Sequence, residues 1–225
     1  AAGYVGGLVG AKIAGDPAVG VQSITNIKGN GLTLFYDPLV AGNEAQFSSS
    51  GSFSELAEFN AANSASLVAL SVDGRTAIDA LIAKPSKVAK YEDLKGQTIG
   101  VKGKLPPSIK ALLASHNLVE GTDYQTVLID GYDPKVHIEL PSIVAFPGWK
   151  SNEPGQLKAA NIDFNLFDPT QEKIPGSFGL IYSNKKFLSE HPTAAQDFMR
   201  ATMKGLADAI ADPAAAAAIC VEAIN

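Results

Sequence analysis

One short segment combines an aromatic ring, an amide and a carboxylate. Trp149, the single tryptophan of the chain, is followed closely by Asn152 and Glu153. An indole can stack on a planar ring, and a carboxylate can accept paired hydrogen bonds from an amidine-like edge. Ordinary roles fit equally well: a packing tryptophan, and an acidic first-turn residue of a helix that Asn152 caps. These residues alone leave both interpretations open.

Trp149 follows a predicted apolar strand, Ile143 to Phe146, and the breaker pair Pro147-Gly148. Open α/β sheets bind ligands at the carboxyl ends of their strands. The order of these residues therefore predicts that Trp149 stands at such a strand end.

Two serine- and glycine-containing segments each join a predicted strand to a predicted helix, at 48–51 and at 102–108. Hydroxyls and main-chain N–H groups before a helix can hold a polar or anionic group, although such serines also serve as simple caps. Asp73 likewise ends a predicted strand, but with Gly74 it also fits a turn. The candidate ligand-binding residues are therefore Trp149, Asn152, Glu153, Ser49, Ser50, Gly51, Asp73, Gly103 and Ser108, with Tyr36 and Phe178 as further stacking faces.

Composition argues against several other classes of function. The net charge is −5 with no lysine- or arginine-rich run, which disfavours a nucleic-acid partner. Cys220 is the single cysteine, so neither an internal disulfide nor a thiolate metal site can form. The histidines are scattered, and no nucleophile-elbow, phosphate-loop or dinucleotide motif occurs. We therefore expect no catalytic residue, no metal and no cofactor.

Short β-rich runs alternate with helical patterns along the chain, which predicts an α/β fold with parallel sheets covered by helices. Ser52, with Glu55 three residues on, has the spacing of a capping box. The predicted strands are Val19–Ile24, Ala45–Ser48, Ser66–Val72, Ala80–Lys84, Thr98–Val101, Thr126–Ile129, Ile143–Phe146, Phe164–Phe167 and Gly179–Ser183. The predicted helices are Ala1–Ala14, Ser52–Asn63, Pro107–His116, Glu153–Asn161, Pro192–Ala211 and Ala214–Ala223.

Three segments resemble the substrate-binding proteins of ABC importers. Tyr91 to Val101, YEDLKGQTIGV, resembles the family's DLKGKxIGV segment at the passage into the second lobe, and Ile181 to Pro192 resembles the return crossing. Phe198 to Gly205 resembles the long helix that follows. Together they resemble the group that binds alkanesulfonates, taurine, thiamine pyrimidine precursors and riboflavin. Trp149 to Pro154 resembles the aromatic-x-x-Asn-x-Glu neighbourhood of the thiamine-pyrimidine branch, although Asn152 and Glu153 are adjacent here.

The resemblance implies a type II periplasmic-binding-protein fold. In that fold two lobes, each a mostly parallel sheet flanked by helices, close about a hinge of two crossing strands. We expect these strands near Ala80–Lys84 and Gly179–Ser183. Lobe 1 would comprise residues 1–97 and 182–225, and lobe 2 residues 98–181. A further strand, and any export signal, would precede residue 1.

The resemblance also implies the function. We expect a monomeric periplasmic or extracellular protein, with or without a lipid anchor, that captures a small heteroaromatic nutrient between its lobes. It would deliver this thiamine-precursor-like solute to a membrane permease. Trp149 would stack on the ring, and Asn152 and Glu153 would bind its polar edge. Riboflavin and an alkanesulfonate or taurine are alternative ligands, and a sensor domain is an alternative role. A pyrimidine-synthase-like enzyme is disfavoured, because those enzymes resemble this chain but carry a cysteine-rich iron-binding segment.

Overall fold

The computed structural model describes residues 36–49 and 51–224. The predicted helix Ala1–Ala14, the predicted strand Val19–Ile24 and the candidate Ser50 lie outside the described residues, and so does the side chain of the candidate Tyr36. Among the described helices, none is both long and apolar enough to cross a membrane.

Strands and helices alternate along most of the described chain, as the sequence predicts. In order they are α1 (Tyr36–Ala41), β1 (Phe47–Ser49), α2 (Phe53–Asn63), β2 (Leu67–Gly74), β3 (Asp79–Ala83), a 3-10 turn (Tyr91–Leu94), β4 (Gln97–Val101), α3 (Pro107–Ser115), β5 (Tyr124–Leu128), α4 (Pro134–Glu139), β6 (Ala145–Trp149), α5 (Glu153–Ala159), β7 (Asn165–Phe167), β8 (Phe178–Asn184), α6 (Lys185–Glu190), α7 (Pro192–Ala211) and α8 (Pro213–Ile224).

These elements form two compact units. In the described chain, unit 1 comprises residues 36–49, 56–71 and 180–224, and unit 2 comprises residues 51–55 and 72–179. Their bounds differ from those of the expected lobes, since residues 72–97 lie in unit 2. The reason is β3, which pairs with β6 and β7 and thereby joins the sheet of unit 2. In the described chain the boundaries between the units fall within β2 and within β8, and on either side of residues 51–55.

Antiparallel pairs occur in both described sheets, and the sheet of unit 2 also contains parallel pairs. One sheet has the order β1-β8-β2, and β1 is antiparallel to β8. The sheet of unit 2 has the order β5-β4-β6-β3-β7. There β4 is parallel to β5 and β6, whereas β3 is antiparallel to β6 and β7. The predicted α/β class is confirmed, but the sheets are less parallel than expected.

Each face of the unit 2 sheet has its own buried core. Alternate side chains of a strand point to opposite faces. On one face Leu81 and Val101 pack with Leu112 of α3, and we call this the α3 face. On the other, Ile82 and Phe146 pack with Leu157 of α5, and we call this the α5 face. The two cores fix which way each side chain at the ends of the strands points.

Most predicted elements are present within one or two residues, and α7 has the predicted bounds. The prediction that Pro147-Gly148 ends its strand is wrong, because β6 continues to Trp149. Beyond Ala145 the strand pairs with β3 alone, and such a position tolerates proline. The helices α1, α4 and α6 were not predicted, because their six residues each are too few to show a helical period.

Candidate functional site

The polar side chains of unit 2 gather where three strands end and one begins. The parallel strands β4, β5 and β6 end at the same edge of the sheet, and the antiparallel β3 starts there because Asp79 pairs with Trp149. We call this the carboxyl edge and define it by Asp79, Lys102 and Trp149. It is the edge at which α/β sheets bind ligands.

Trp149 is the last residue of β6, so it lies within the strand and not after it. Its side chain is 57% exposed. Its main-chain N–H donates to Oε2 of Glu153 at 2.8 Å, which fixes the backbone at the strand end. An exposed indole on a fixed backbone can serve as a stacking platform for a planar ring.

Asp79 stands directly opposite Trp149, and the sequence analysis did not identify it. Its Oδ2 accepts a hydrogen bond from Oγ of Ser108 at 3.2 Å. Burial and the nearby charge of Glu55 raise the pKa of Asp79 to about 6, against the opposing effects of the Ser108 hydrogen bond and the Lys150 charge. The signal in the sequence was a carboxylate between Ile78 and Ala80, at the start of an apolar strand.

Ser108 and Gly103 follow β4 and precede or begin α3. Ser108 is brought to the carboxyl edge and bonds to Asp79, so its hydroxyl serves that carboxylate. Gly103 has a φ of +99°, and an added Cβ would meet no atom within 4 Å. The glycine is therefore required by the left-handed backbone of the turn and by no close approach of a neighbour.

Glu153 belongs to the opposite face of the sheet. The side chain is buried, and its Oε2 accepts the Trp149 N–H. A Cβ added to Gly148 would lie 3.2 Å from Cβ and Cδ of Glu153 and 2.7 Å from Cδ1 of Ile82. Because Gly148 and Ile82 face α5, the Glu153 carboxylate packs on the α5 face and links the start of α5 to β6.

Asn152 occupies the N-cap position of α5, but its side chain makes no cap hydrogen bond. Its Oδ1 instead accepts from Nε2 of Gln156 at 2.8 Å, and the residue is exposed. The interpretation of Asn152 as a side-chain cap is therefore wrong. The hydrogen bond from Gln156 occupies the oxygen that a side-chain cap would present to the first turn of the helix.

Two lysines near the carboxyl edge differ in their partners. Lys102 Nζ lies 4.1 Å from the ring centroid of Tyr132. Burial lowers the pKa of Lys102, while the charge of Glu153 acts in the opposite direction. Lys150 Nζ is held 2.8 Å from Asp168 Oδ1 and 2.9 Å from Thr170 Oγ1. Both ammonium groups are thus already engaged with groups of unit 2.

Asp168 shows how strongly Lys150 is held. Burial alone would raise the pKa of Asp168, but hydrogen bonds from Lys150 and Thr170 outweigh it and lower the pKa below its ordinary value. The ammonium of Lys150 is therefore held by this carboxylate.

Gly51 lies beside a confirmed capping box at the start of α2. Ser52 N–H donates to Glu55 Oε2 at 2.7 Å, and Glu55 N–H donates to Ser52 Oγ at 3.2 Å. Gly51 has a φ of +66°, and a Cβ there would lie 2.9 Å from Glu55 Oε2. The close approach expected at this glycine is therefore to Glu55 of the same segment.

The remaining candidates have packing contacts. A Cβ on Gly74 would lie 1.7 Å from Cε1 of Phe178, so this ring rests on the glycine backbone of β2. Asp73 Oδ2 lies 2.7 Å from the position of a Cβ on Gly179. Ser49 is the last residue of β1 in unit 1 and pairs with Ile181. The structure thus brings together Trp149, Ser108 and Glu153 of the predicted set, with Asp79 and Lys102 added.

No group of side chains suited to holding a metal ion occurs among the described residues 36–49 and 51–224. The side chains at the carboxyl edge can supply aromatic stacking, hydrogen bonds and charge. Such groups can bind a ligand through an aromatic ring, hydroxyls and charged side chains.

The chain is similar to proteins of a known family. A family model described as NMT1/THI5 like matches residues 26–216. The riboflavin-binding protein RibY of Chloroflexus aurantiacus is 30% identical over 129 residues, which cover 56% of this chain and 36% of RibY. The chain therefore spans little more than a third of that relative's length.

Solved structures share the fold at low identity. The periplasmic aliphatic sulphonate binding protein SsuA from Escherichia coli matches with a TM-score of 0.60 and 16% identity, over 83% of this chain and 64% of that one. A Candida albicans protein described as exhibiting the generic periplasmic binding protein fold matches with a TM-score of 0.59 and 16% identity, over 80% of this chain and 60% of that one. These likenesses confirm the fold expected from the sequence, and the matched family model shows that the chain belongs to the NMT1/THI5-like family.

Proposed function

We propose that the chain is the solute-binding protein of an ABC importer and that it binds a small heteroaromatic solute outside the cytoplasm. Membership of the NMT1/THI5-like family supports this role, together with a fold shared with a sulphonate binding protein named as periplasmic. A membrane permease is the proposed partner, and the proposed binding form is a monomer.

One observation carries the ligand class. The exposed indole of Trp149 and the carboxyl group of Asp79 are directly paired across β3 and β6 at the carboxyl edge. An aromatic platform beside a hydrogen-bond acceptor suits a planar ring that carries N–H groups. A thiamine-precursor-like aminopyrimidine has this chemistry.

Charge at the carboxyl edge argues against a sulfonate. Asp79, Glu55 and Glu153 are acidic, whereas Lys150 is bound to Asp168 and Lys102 lies over the ring of Tyr132 near Glu153. An anionic ligand would be repelled by the carboxylates, and an N–H donor would be attracted. Riboflavin is the second candidate, because RibY is named as a riboflavin-binding protein. The isoalloxazine ring of riboflavin also offers a planar surface for stacking.

The proposal is tested by titrating the purified protein with an aminopyrimidine corresponding to the thiamine moiety, with riboflavin, with taurine and with an alkanesulfonate. Because the chain has one tryptophan, quenching of its fluorescence reports binding at Trp149 directly. Thermal stabilisation provides an independent readout. Stabilisation by the aminopyrimidine or by riboflavin supports the proposal, and stabilisation by the sulfonates alone contradicts the ligand class.

The stacking role is tested separately by calorimetry on Trp149→Ala and Trp149→Phe. Loss of the platform should weaken binding by about 3- to 10-fold, as expected for an aromatic pair, and phenylalanine should restore most of it. Val119→Ala is the matched control, since Val119 is 55% exposed and precedes β5 at the other end of the sheet. Equal affinities in all three variants would contradict stacking on Trp149. Turnover of a bound pyrimidine would instead favour an enzyme.

A further inference from the structure

We propose that Asp79, positioned by Ser108, is the carboxyl group that binds the N–H edge of the solute, and that Glu153 serves to position the backbone of Trp149. This inference rests on the proposed function and names the residue that determines its specificity. It reassigns the polar contact that the sequence places on Asn152 and Glu153.

The register of β3 and β6 places Asp79 beside the stacking ring. Asp79 and Trp149 are directly opposite each other in an antiparallel pair. Side chains at such positions point to the same face with Cβ atoms about 4.5–5.5 Å apart. Both lie on the α3 face, because Ser108 of α3 bonds to Asp79. A ring stacked on the indole therefore presents its edge toward Asp79.

Glu153 lacks this access. Its carbon atoms pack against Gly148 on the α5 face, and its Oε2 is bonded to the Trp149 N–H at 2.8 Å. A bidentate contact with a solute would need both oxygens, and the main chain already uses one. Glu153 therefore acts on the solute through the backbone that carries the indole.

Among residues 36–49 and 51–224, no lysine or arginine forms an ion pair with the carboxyl group of Asp79. Glu55 of α2 adds like charge, while Ser108 of α3 and the main chain of Asp79 itself supply neutral hydrogen bonds. Lys150, after β6, lowers the energy of the anion from a distance, but its ammonium is bound to Asp168 and Thr170. A half-buried carboxylate in these surroundings gains most from a ligand that brings its own N–H donors.

Affinity should consequently depend on pH. The carboxylate form is the one that accepts N–H donors, and burial holds the pKa of Asp79 at about 6. Protonation therefore weakens binding as the pH falls through this value. The dissociation constant for the aminopyrimidine should be about tenfold higher at about pH 5 than at about pH 7.5.

The closing experiment measures aminopyrimidine affinity by calorimetry across this pH range for the wild type, Asp79→Asn and Glu153→Gln. Asp163→Asn is the matched control, because Asp163 is an exposed acid that precedes β7 at the Ala83 end of the sheet. A second, ligand-free measurement follows the fluorescence of Trp149 during a pH titration, since protonation of a neighbouring carboxyl quenches an indole.

We expect Asp79→Asn to weaken binding at least tenfold and to abolish its pH dependence, with Glu153→Gln and Asp163→Asn within about threefold of the wild type. The fluorescence midpoint near the pKa of Asp79, about 6, should vanish in Asp79→Asn alone. Binding that is unchanged in Asp79→Asn overturns the inference and leaves the proposed function standing. Absence of binding by every heteroaromatic probe overturns the proposed function, whereas a fluorescence midpoint unaffected by Asp79→Asn overturns the pairing with Trp149.

Discussion

The two faces of the unit 2 sheet carry similar side chains at the carboxyl edge but use them differently. The α3 face has an aromatic ring and a carboxyl group, Trp149 and Asp79. Glu153 on the α5 face lies near Lys102, which in turn contacts the ring of Tyr132. The difference lies in what stabilises each anion. Glu153 accepts the Trp149 N–H and lies near Lys102, whereas Asp79 has hydrogen bonds from Ser108 and from its own main chain, the more distant charge of Lys150 and the opposing charge of Glu55. A carboxylate whose charge is stabilised by protein groups contributes to the fold. One whose charge is less well stabilised gains more from the N–H donors of a ligand.

The largest effects are expected when a buried side chain is shortened on each face of the sheet. Leu112 of α3 and Leu157 of α5 are both fully buried. Replacement of either by alanine should lower the free energy of unfolding by about 2–5 kcal/mol, which urea denaturation measures. Only Leu112→Ala should also shift the pH midpoint of Trp149 fluorescence, since α3 carries Ser108. A shift in Leu157→Ala of the same size would show that the faces are not independent.

Glu153→Ala tests the structural role of the Glu153 carboxylate. The variant leaves the Trp149 N–H without its acceptor at a part-buried position. The free energy of unfolding should therefore fall by about 1–3 kcal/mol in thermal or urea unfolding. Glu153→Gln keeps an acceptor oxygen and should lose less than half of that amount. Equal losses in the two variants would point to the charge rather than the hydrogen bond.

Asp79→Asn should raise the free energy of unfolding at neutral pH, whereas Glu153→Ala should lower it. The folded protein holds the pKa of Asp79 at about 6, above its ordinary value of 3.8. The folded state therefore binds the proton more tightly than the unfolded state, and this residue contributes less stability as the pH rises through that interval. Removing the charge should raise the free energy of unfolding at about pH 7 by about 1–2 kcal/mol.

The gain from Asp79→Asn should disappear near pH 4, which unfolding measured at both pH values would reveal. If Asp79→Asn were less stable than the wild type at neutral pH, the protein would stabilise the Asp79 carboxylate more strongly than its contacts indicate.

The smallest effect is expected for Trp149→Ala, because the indole is exposed and packs little. The free energy of unfolding should change by no more than about 0.5 kcal/mol, as for surface substitutions in general. Thermal unfolding of this variant beside Val119→Ala measures it. A loss comparable with that of Leu112→Ala would make Trp149 a core residue and remove the basis for a stacking role.

Local patterns were sufficient to predict much of the fold. The period of α7, bounded by Pro192 and Asp212-Pro213, gave its limits, and the capping box at Ser52 and Glu55 is present as expected. The site was harder. Trp149 and Ser108 are at the carboxyl edge as predicted, but Asn152 bonds along its own helix and Phe178 rests on Gly74. The spacing of residue types does not specify which side chains contact each other. It therefore could not show that Asn152 bonds to Gln156 or that Phe178 packs on Gly74.

The sequence by itself determined the alternation of strands and helices, the family and the presence of a tryptophan near a strand end, because each depends on neighbouring residues. The tertiary structure alone decided that β3 runs antiparallel beside β6. That pairing brings Asp79, separated from Trp149 by seventy positions, directly opposite the indole, and it leaves Glu153 on the other face. The direction and register of a strand arise from packing on both faces of a sheet, and no local pattern encodes them.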